Sequence, residues 1–515
     1  MKKYLLSILS IIIIIGFTSG CNSNKSSEKT LIYGSATDYS RINPALDEHG
    51  EIHKIIFSGL TKHDENNKVI PDLAKKWNFN KEELSYTFTL RENVKWHDGT
   101  QFNSEDVKYT IEAIKNPKNN SEISTNYKEI TKVEIIDDYK IKIYLNKPFP
   151  PILDYLSVGI LPKHILENKD INDSSFNQNP IGTGPYKLNK WEMGQYIELK
   201  ANNDYYEKVP NIDTLIFKVI EDEKVRALQL KSGDIDLTQI EPKDMEIFKN
   251  NESIKLYKEK TADYRGIMYN FKNPIFKNAD VRKALTYAID KEKIVNEVLN
   301  GMGEVAKSPL QMGPYNNENI KPYSFNPKRA KELLNKSGWI VGSDNIREKN
   351  GAKLSFNIVC FEGDPVRINI ANSAAQYLKN INVDANVKIK PKGSVKWSEI
   401  DSFLIGWGSP FDPDDHTYKV FHSTQADKGV NLNSYSNVKV DNLLEKARTT
   451  LDNKKRKKYY NKFQEEFVED PPYSLIAYID AVYGVNKNIT GINSRVLGHH
   501  GVGFLWNIEK WDIKK

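Results

Sequence analysis

Leu84, Tyr86, Phe88 and Leu90 alternate with Ser85, Thr87 and Thr89, the period-two spacing of a strand with one buried face. Asp98-Gly99 predicts a tight turn beyond it, and Ser104-Glu105-Asp106-Val107 predicts the start of a helix. Val133 to Ile136 reads as another strand. Tyr139, Ile141, Ile143 and Leu145 give one face of the next, and Asp137-Asp138 joins the two as a hairpin. Gly182-Thr183-Gly184-Pro185-Tyr186 predicts a turn before strands around Leu188, Ile197 and Leu199. The spacing then becomes helical. Val281, Ala284, Leu285, Ala288 and Ile289 form one apolar stripe, and Asp290 predicts the cap of a helix holding Ile294, Val295 and Val298. Leu443, Leu444 and Ala447, then Tyr460, Phe463 and Phe467, predict two more helices, the second stopped by Pro471-Pro472. Strands at Leu404-Ile405 and Ser474 to Tyr478 bracket them. Hairpins dominate residues 80–145, helices alternate with strands afterwards, and the fold class is α/β.

One apolar segment follows neither period. Leu5 to Phe17 is mostly apolar, follows Met1-Lys2-Lys3 and precedes Thr18-Ser19-Gly20-Cys21. A positive end, an apolar run too short to span a bilayer comfortably and small residues before a cysteine predict an export signal over residues 1–20. The tetrapeptide resembles a bacterial lipobox with Thr18 in place of the usual leucine. Diacylation of Cys21 would supply the two chains that stable attachment to a bilayer requires. Residues 21–30 then read as the lipidated cysteine and a polar tether.

Apolar residues at 39% and charged residues at 28% describe a globular body. The formal charge of +6 is spread among intermingled Lys and Glu, without the concentrated basic patch that nucleic acid would demand. Beyond Cys21 only Cys360 remains, so core size and not disulfides must hold the body together. Neither His-Glu-x-x-His nor Gly-x-Ser-x-Gly occurs, which leaves an extracellular hydrolase without sequence support. A surface-structural protein would need no enclosed cleft.

Several segments, taken in order, carry a resemblance. They are Leu73-Ala74-Lys75-Lys76-Trp77, Tyr86 to Arg91, Val94-Lys95-Trp96-His97-Asp98-Gly99, Gly182 to Tyr186, Gly233-Asp234-Ile235-Asp236, Val281-Arg282-Lys283-Ala284 with Ala288-Ile289-Asp290, and Gly406-Trp407. The chain resembles the large family 5 solute-binding lipoproteins of bacterial ABC importers for peptides, opines and nickel. The resemblance implies a periplasmic-binding-protein-like clamshell of two lobes, type II and cluster C-like, with an extra inserted domain. Lobe I would use residues 31–70, 180–270 and 487–515, the accessory domain 71–179, and lobe III 271–486. It further implies no catalysis and no resident cofactor. The expected partners are ABC permease transmembrane subunits with separate cytoplasmic ATPase subunits, and the bilayer itself through Cys21. No nucleic acid is expected, and the body is expected to be a monomer. Its location would be the outer side of the cell membrane, Gram-positive-like, or the periplasmic side in a Gram-negative cell.

Within that frame the loop Gly406-Trp407-Gly408-Ser409-Pro410-Phe411-Asp412-Pro413-Asp414-Asp415-His416 is the principal candidate for ligand contact. In peptide-binding relatives a carboxylate after Gly-Trp holds the ligand's α-amino group, and direct counting here reaches Pro410. Asp412, Asp414 or Asp415 would have to take over, with Trp407 and Gly408 as pocket wall and His416 beside them. The competing reading is an Asx-type turn whose carboxylates cap backbone amides. Trp77 and Trp96 read as packing residues. His499 and His500, with His416, keep open a nickel or other metal-chelate ligand, since imidazole suits nickel. Short oligopeptides are the leading expectation, and the metal chelate is the alternative.

Replacing Cys21 by Ala should release or misprocess the protein without unfolding its body. Fractionation with metabolic labelling by a fatty-acid analogue checks this, and an acylated, membrane-bound variant would contradict it.

Overall fold

The computed structural model describes residues 28–47, 50–426 and 429–514. The export signal and Cys21 lie outside the described residues. The body is organised by one long sheet. Its strand order is Asp384–Lys390, Ser355–Phe361, Ser402–Trp407, Ile254–Tyr269, Tyr473–Asn486, Leu237–Ile240, Thr30–Ser35, Thr214–Val219, Tyr196–Ala201 and Tyr186–Glu192. Helices pack against it, as in Ala279–Ala288 and Pro365–Lys379, giving the two-lobed α/β clamshell. No helix among the described residues is long and apolar enough to cross a membrane.

The two central strands are unusually long, and they belong to both halves. Ile254–Tyr269 pairs antiparallel with Tyr473–Asn486, from Ile254 opposite Asn486 to Met268 opposite Tyr473. The register is broken between Lys260 and Tyr264, so the pair bends midway. At that break Thr261 pairs instead with Leu497, and the Ala262 N–H donates to the Leu497 carbonyl at 2.8 Å. Apolar side chains on either side form separate clusters. One unites Leu31, Ile56, Trp96, Phe149, Leu199 and Trp511, while the others gather Ile267, Leu285, Ile358 and Leu404, and Tyr264, Phe403, Phe421 and Phe463. A bent ribbon joining separately packed cores is the geometry of a hinge.

A smaller four-stranded antiparallel sheet runs Ala74–Asn80, Ser85–Leu90, Lys140–Leu145 and Ile130–Asp137. Tyr86, Phe88 and Leu90 are buried as their alternation predicts, whereas Leu84 occupies the preceding turn with φ +49°. The helix predicted at Ser104 runs Ser104–Lys115 and opens with a capping box between Asn103 and Asp106. Asp106 also accepts the Trp96 indole N–H at 3.3 Å and the Lys163 amide at 3.0 Å, so Trp96 is a packing residue. After Ala279–Ala288, Asp290 caps a short turn that widens into a π-helical segment, Ile294–Val298, and not into a regular helix. The wide turn buries Ile294 and Val295 together while Glu297 stays outside.

Cys360 is fully buried in the strand Ser355–Phe361, and burial pushes its thiol up to about 12, with Asp364 adding to the effect. Cys360 should therefore resist a thiol reagent at about pH 8 in the native body and react fully after unfolding. Time-resolved absorbance with and without urea checks this in a chain lacking Cys21.

Candidate functional site

Between the two sides of the bent ribbon lies a cleft of about 470 Å³. That volume falls in the range of small-molecule sites, about 300–1,000 Å³. One wall comes from the segments around Lys54, His63, Tyr127 and Asp154, and the opposite wall from Gly408 to Asp412 with Asp415. The floor comes from the C-terminal segment around Arg495, His499 and Trp506.

The hinge reaches the cleft floor through one carboxylate. Asp263 sits in the register break, fully buried. Its Oδ1 meets His499 Nδ1 at 2.8 Å, its Oδ2 accepts the His500 backbone N–H at 2.9 Å, and Arg265 pairs with it directly. Burial pushes the Asp263 carboxyl up, but the Arg265 guanidinium and His499 outweigh it and hold the group well below the usual carboxylate range. Burial lowers His499 below the ordinary imidazole value, against the pull of Asp263, so the ring is neutral at neutral pH. An ionised carboxylate only accepts. Nδ1 therefore carries the proton, and Nε2 is the nitrogen with the lone pair. This is the arrangement by which a carboxylate orients a metal-ligating histidine.

His500 adopts φ +57°, and its ring lies 3.9 Å from that of His499, centroid to centroid. Burial, with His499 beside it, pushes its imidazole down to about 2. Trp407 stands 6.1 Å from His499 and is half-buried behind the cleft wall. The glycines flanking it have separate steric causes. A Cβ on Gly406 would lie 2.1 Å from Arg265 Nη1 and 2.8 Å from Arg367 Nη2, and one on Gly408, at φ +144°, would lie 1.7 Å from the Ala262 carbonyl oxygen. Gly406 thus admits two guanidiniums beneath the strand, and Gly408 lets the loop close against the hinge.

The aspartates of the loop have partners within the protein. Asp412 binds Arg456 through both oxygens, at 2.6 and 2.7 Å, and accepts the Asp414 amide at 3.0 Å. Asp414 accepts from Arg448 at 3.1 Å and from the Tyr155 hydroxyl at 3.1 Å, and Asp415 meets Lys419 at 3.0 Å. Asp412 and Asp415 line the cleft, whereas Asp414 lies beneath it. The carboxylates Asp414 and Asp415 also open the helix Asp414–Phe421, where its dipole favours negative charge. His416 is buried in that helix, its Nε2 3.1 Å from the Pro309 carbonyl oxygen. His416 is thus held apart from the cleft lining that contains His499. The two walls touch at His63, whose Nε2 is 3.0 Å from Asp154 and whose ring stacks on Phe411 at 3.9 Å.

Among the described residues no group of three or more His, Cys, Asp or Glu side chains gathers to hold a metal ion. Sequence reasoning singled out His499 and missed Asp263, Arg265, Arg367 and His63. Asp263 and Arg265 did leave a trace: two charged residues in an otherwise apolar strand, Thr261 to Tyr269. The partner of Asp263, His499, is 236 residues away, and no local spacing links them.

The model of the bacterial extracellular solute-binding proteins, family 5 Middle, matches residues 68–428. The oligopeptide-binding protein AppA of Bacillus subtilis is 32% identical, over 100% of this chain and 99% of its own length. Its solved structure, in complex with a nonapeptide, superposes with a TM-score of 0.84 over 95% of this chain and 100% of that one. The structure of NikZ from Campylobacter jejuni in complex with Ni(L-His) is 46% identical, with a TM-score of 0.89, covering 94% of this chain and 99% of that one.

Breaking the buried Asp412–Arg456 pair should act on stability first. Asp412→Asn should cost about 3–5 kcal/mol in urea unfolding, because a buried guanidinium loses its counterion. The double change Asp412→Leu with Arg456→Met should recover much of that loss.

Proposed function

The chain belongs to the bacterial extracellular solute-binding proteins of family 5, and we propose that the solute it captures is a nickel or other metal chelate of a small amino-acid ligand. As a member of this family it is a substrate-binding receptor of an ABC importer and not an enzyme. The permease and its ATPase are separate chains. Cys21 would tether the body to the bilayer on its outer side.

The observation that carries the reading is the Asp263–His499 pair at the cleft floor. A neutral imidazole oriented by a buried carboxylate is a competent ligand for nickel, and His499 lines the cleft. One such ligand does not hold a bare ion, so the metal would arrive with a chelator that supplies the remaining donors. The peptide expectation required a loop aspartate to receive an α-ammonium. Asp412 and Asp414 are instead satisfied by Arg456 and Arg448, which weakens that route. Similarity points the same way, since the NikZ structure in complex with Ni(L-His) shares 46% identity, against 32% for the AppA structure with its nonapeptide.

Capture then follows from position. A chelate bound at His499 would touch a residue fixed to the hinge by Asp263, while His63, Asp154 and Phe411 bring the two walls together at the cleft mouth. Ligand binding and closure would thus share one mechanical element.

Calorimetry with nickel plus L-histidine tests the reading. His499→Ala should lose the most affinity. Asp263→Asn should lose roughly 10–100-fold, the usual effect of removing a histidine's orienting carboxylate. His500→Ala should lose less, because its contact to Asp263 is through the backbone. Unchanged binding by His499→Ala, or tight binding of di- to pentapeptides without nickel binding, would remove the chelate reading and leave the receptor assignment in place.

A further inference from the structure

A second contact joins the two sides of the bent ribbon outside the ligand cleft. On the side of the four-stranded sheet, Lys128 follows the turn Ser124–Tyr127, and Lys147 follows the strand Lys140–Leu145. Facing them are Tyr418 on the helix Asp414–Phe421, and Glu445 and Arg448 on the helix Val438–Thr449. None of these five residues lines the cleft, although Tyr127, next to Lys128, does. Three interactions cross between the sides. Lys147 Nζ lies 3.5 Å from a Glu445 carboxylate oxygen, and Lys128 Nζ stands 4.8 Å from the centroid of the Tyr418 ring. The Arg448 guanidinium meets two rings, its central carbon 3.6 Å from the Tyr418 centroid and 5.0 Å from that of Phe149. Phe149 packs in the cluster of Leu31 and Trp96, and Tyr418 in that of Phe421 and Phe463, so one cation joins two separate cores. Each charged group also has a partner on its own side. Lys147 lies 3.4 Å and Lys128 3.9 Å from Glu129. Glu445 accepts the Tyr418 hydroxyl at 3.0 Å, and Arg448 donates to Asp414 at 3.1 Å. Burial pushes the Glu445 carboxyl up, but Lys147, the Tyr418 hydroxyl and Arg448 outweigh it and hold the group below its ordinary value.

We propose that Lys128, Lys147, Tyr418, Glu445 and Arg448 form a latch outside the cleft, which sets ligand affinity by fixing how much of the protein is closed before ligand arrives. Apparent affinity for a site completed only by closure scales with the closed fraction. The latch is built to release. Parting the sides leaves Lys147 and Lys128 with Glu129, and Arg448 with Asp414, so no charge is stranded. Lys147 and Glu445 are both partly exposed, which makes their pair weak and sensitive to salt. The latch rests on the receptor assignment and is independent of the chelate reading, because none of its residues lines the cleft.

The test replaces Glu445 by Lys, which sets a cation against Lys147 and Lys128. Small-angle scattering of the ligand-free protein reads the closed fraction, and calorimetry with nickel plus L-histidine reads affinity. If wild-type protein is mostly open, Glu445→Lys should lose about 3–10-fold in affinity. If it is mostly closed, the radius of gyration should rise instead, so one of the two readouts must move. Added salt should weaken the attraction in wild type and relieve the repulsion in Glu445→Lys, bringing the two proteins together. A Lys147→Met background separates the latch from local damage. There Glu445→Lys should cost less, because the facing cation is gone. An equal cost in both backgrounds assigns Glu445 to packing around Tyr418 and overturns the latch, as do unchanged scattering and unchanged affinity together. If wild-type protein does not bind nickel plus L-histidine, the chelate reading falls, and mixed di- to pentapeptides replace it as the affinity probe. With no binding of either, scattering alone decides, and an unchanged radius of gyration overturns the latch.

Discussion

A single buried carboxylate at the bend of the two central strands sets the rest of the cleft. Asp263 holds Arg265 beside it in the strand, the His499 ring and the His500 backbone. Asp263 in turn stays ionised because Arg265 and His499 stand beside it. Without Asp263, Arg265 would be a buried cation without a carboxylate under Gly406, beside Arg367, which has Asp364 at 3.2 Å and is already lowered to about 10 by burial and by Arg265. Without the guanidiniums, burial would push Asp263 toward protonation and His499 would lose its orienting acceptor. Because the carboxylate sits where the register breaks, the hinge and the cleft floor cannot be rearranged independently.

The far side of the cleft follows a different rule. There the walls meet through His63, Asp154, Tyr155, Phe411 and Asp414. Burial and the facing Asp412 push the Asp154 carboxyl well above its ordinary value, and burial pushes His63 well below its own. The groups between the walls are thus held toward their neutral forms, which removes the like-charge repulsion that Asp154 and Asp412 would otherwise carry. Ion pairs hold the loop itself, Asp412–Arg456 at the cleft and Asp414–Arg448 beneath it. Such pairs specify geometry more than they stabilise it. They fix the loop after Trp407 in one shape and leave the contact between walls to an aromatic stack and a few hydrogen bonds, interactions weak enough to open again.

Local periodicity made much of the fold legible. The alternation through Tyr86, Phe88 and Leu90, the stripe from Val281 to Ala288, and the helical faces of Leu444 and Phe463 all lie where their spacing predicts. Exceptions arise where tertiary packing overrides spacing, as at Leu84 in its turn and at Ile294–Val298 in its wide helical turn. The site was legible in outline only. Gly406-Trp407-Gly408 marked a loop that reaches the cleft, where Asp412 accepts the Asp414 amide as in an Asx-type turn, and Asp412 and Asp415 line the cleft. What the sequence does not carry is the pairing of those aspartates with Arg448 and Arg456 and of His499 with Asp263. Those partners are supplied by the sheet and the helices, across separations that no local pattern encodes.

An importer's receptor must also let go of what it binds, and the donor set is suited to that. A site of three or four protein ligands would hold a metal as structural zinc sites do, with binding energy tied into folding. Among the described residues no such group exists, and His499 lines the cleft with a single oriented imidazole. If a chelate is the cargo, most of the metal's bonds stay within the cargo, and the protein contributes one exchangeable ligand and the surrounding charge. Release would then require breaking that one bond and parting the walls at His63 and Phe411, without stripping the ion of its coordination. The same parting shifts the segments anchored to Asp263, so opening the hinge and loosening the metal contact would be one movement.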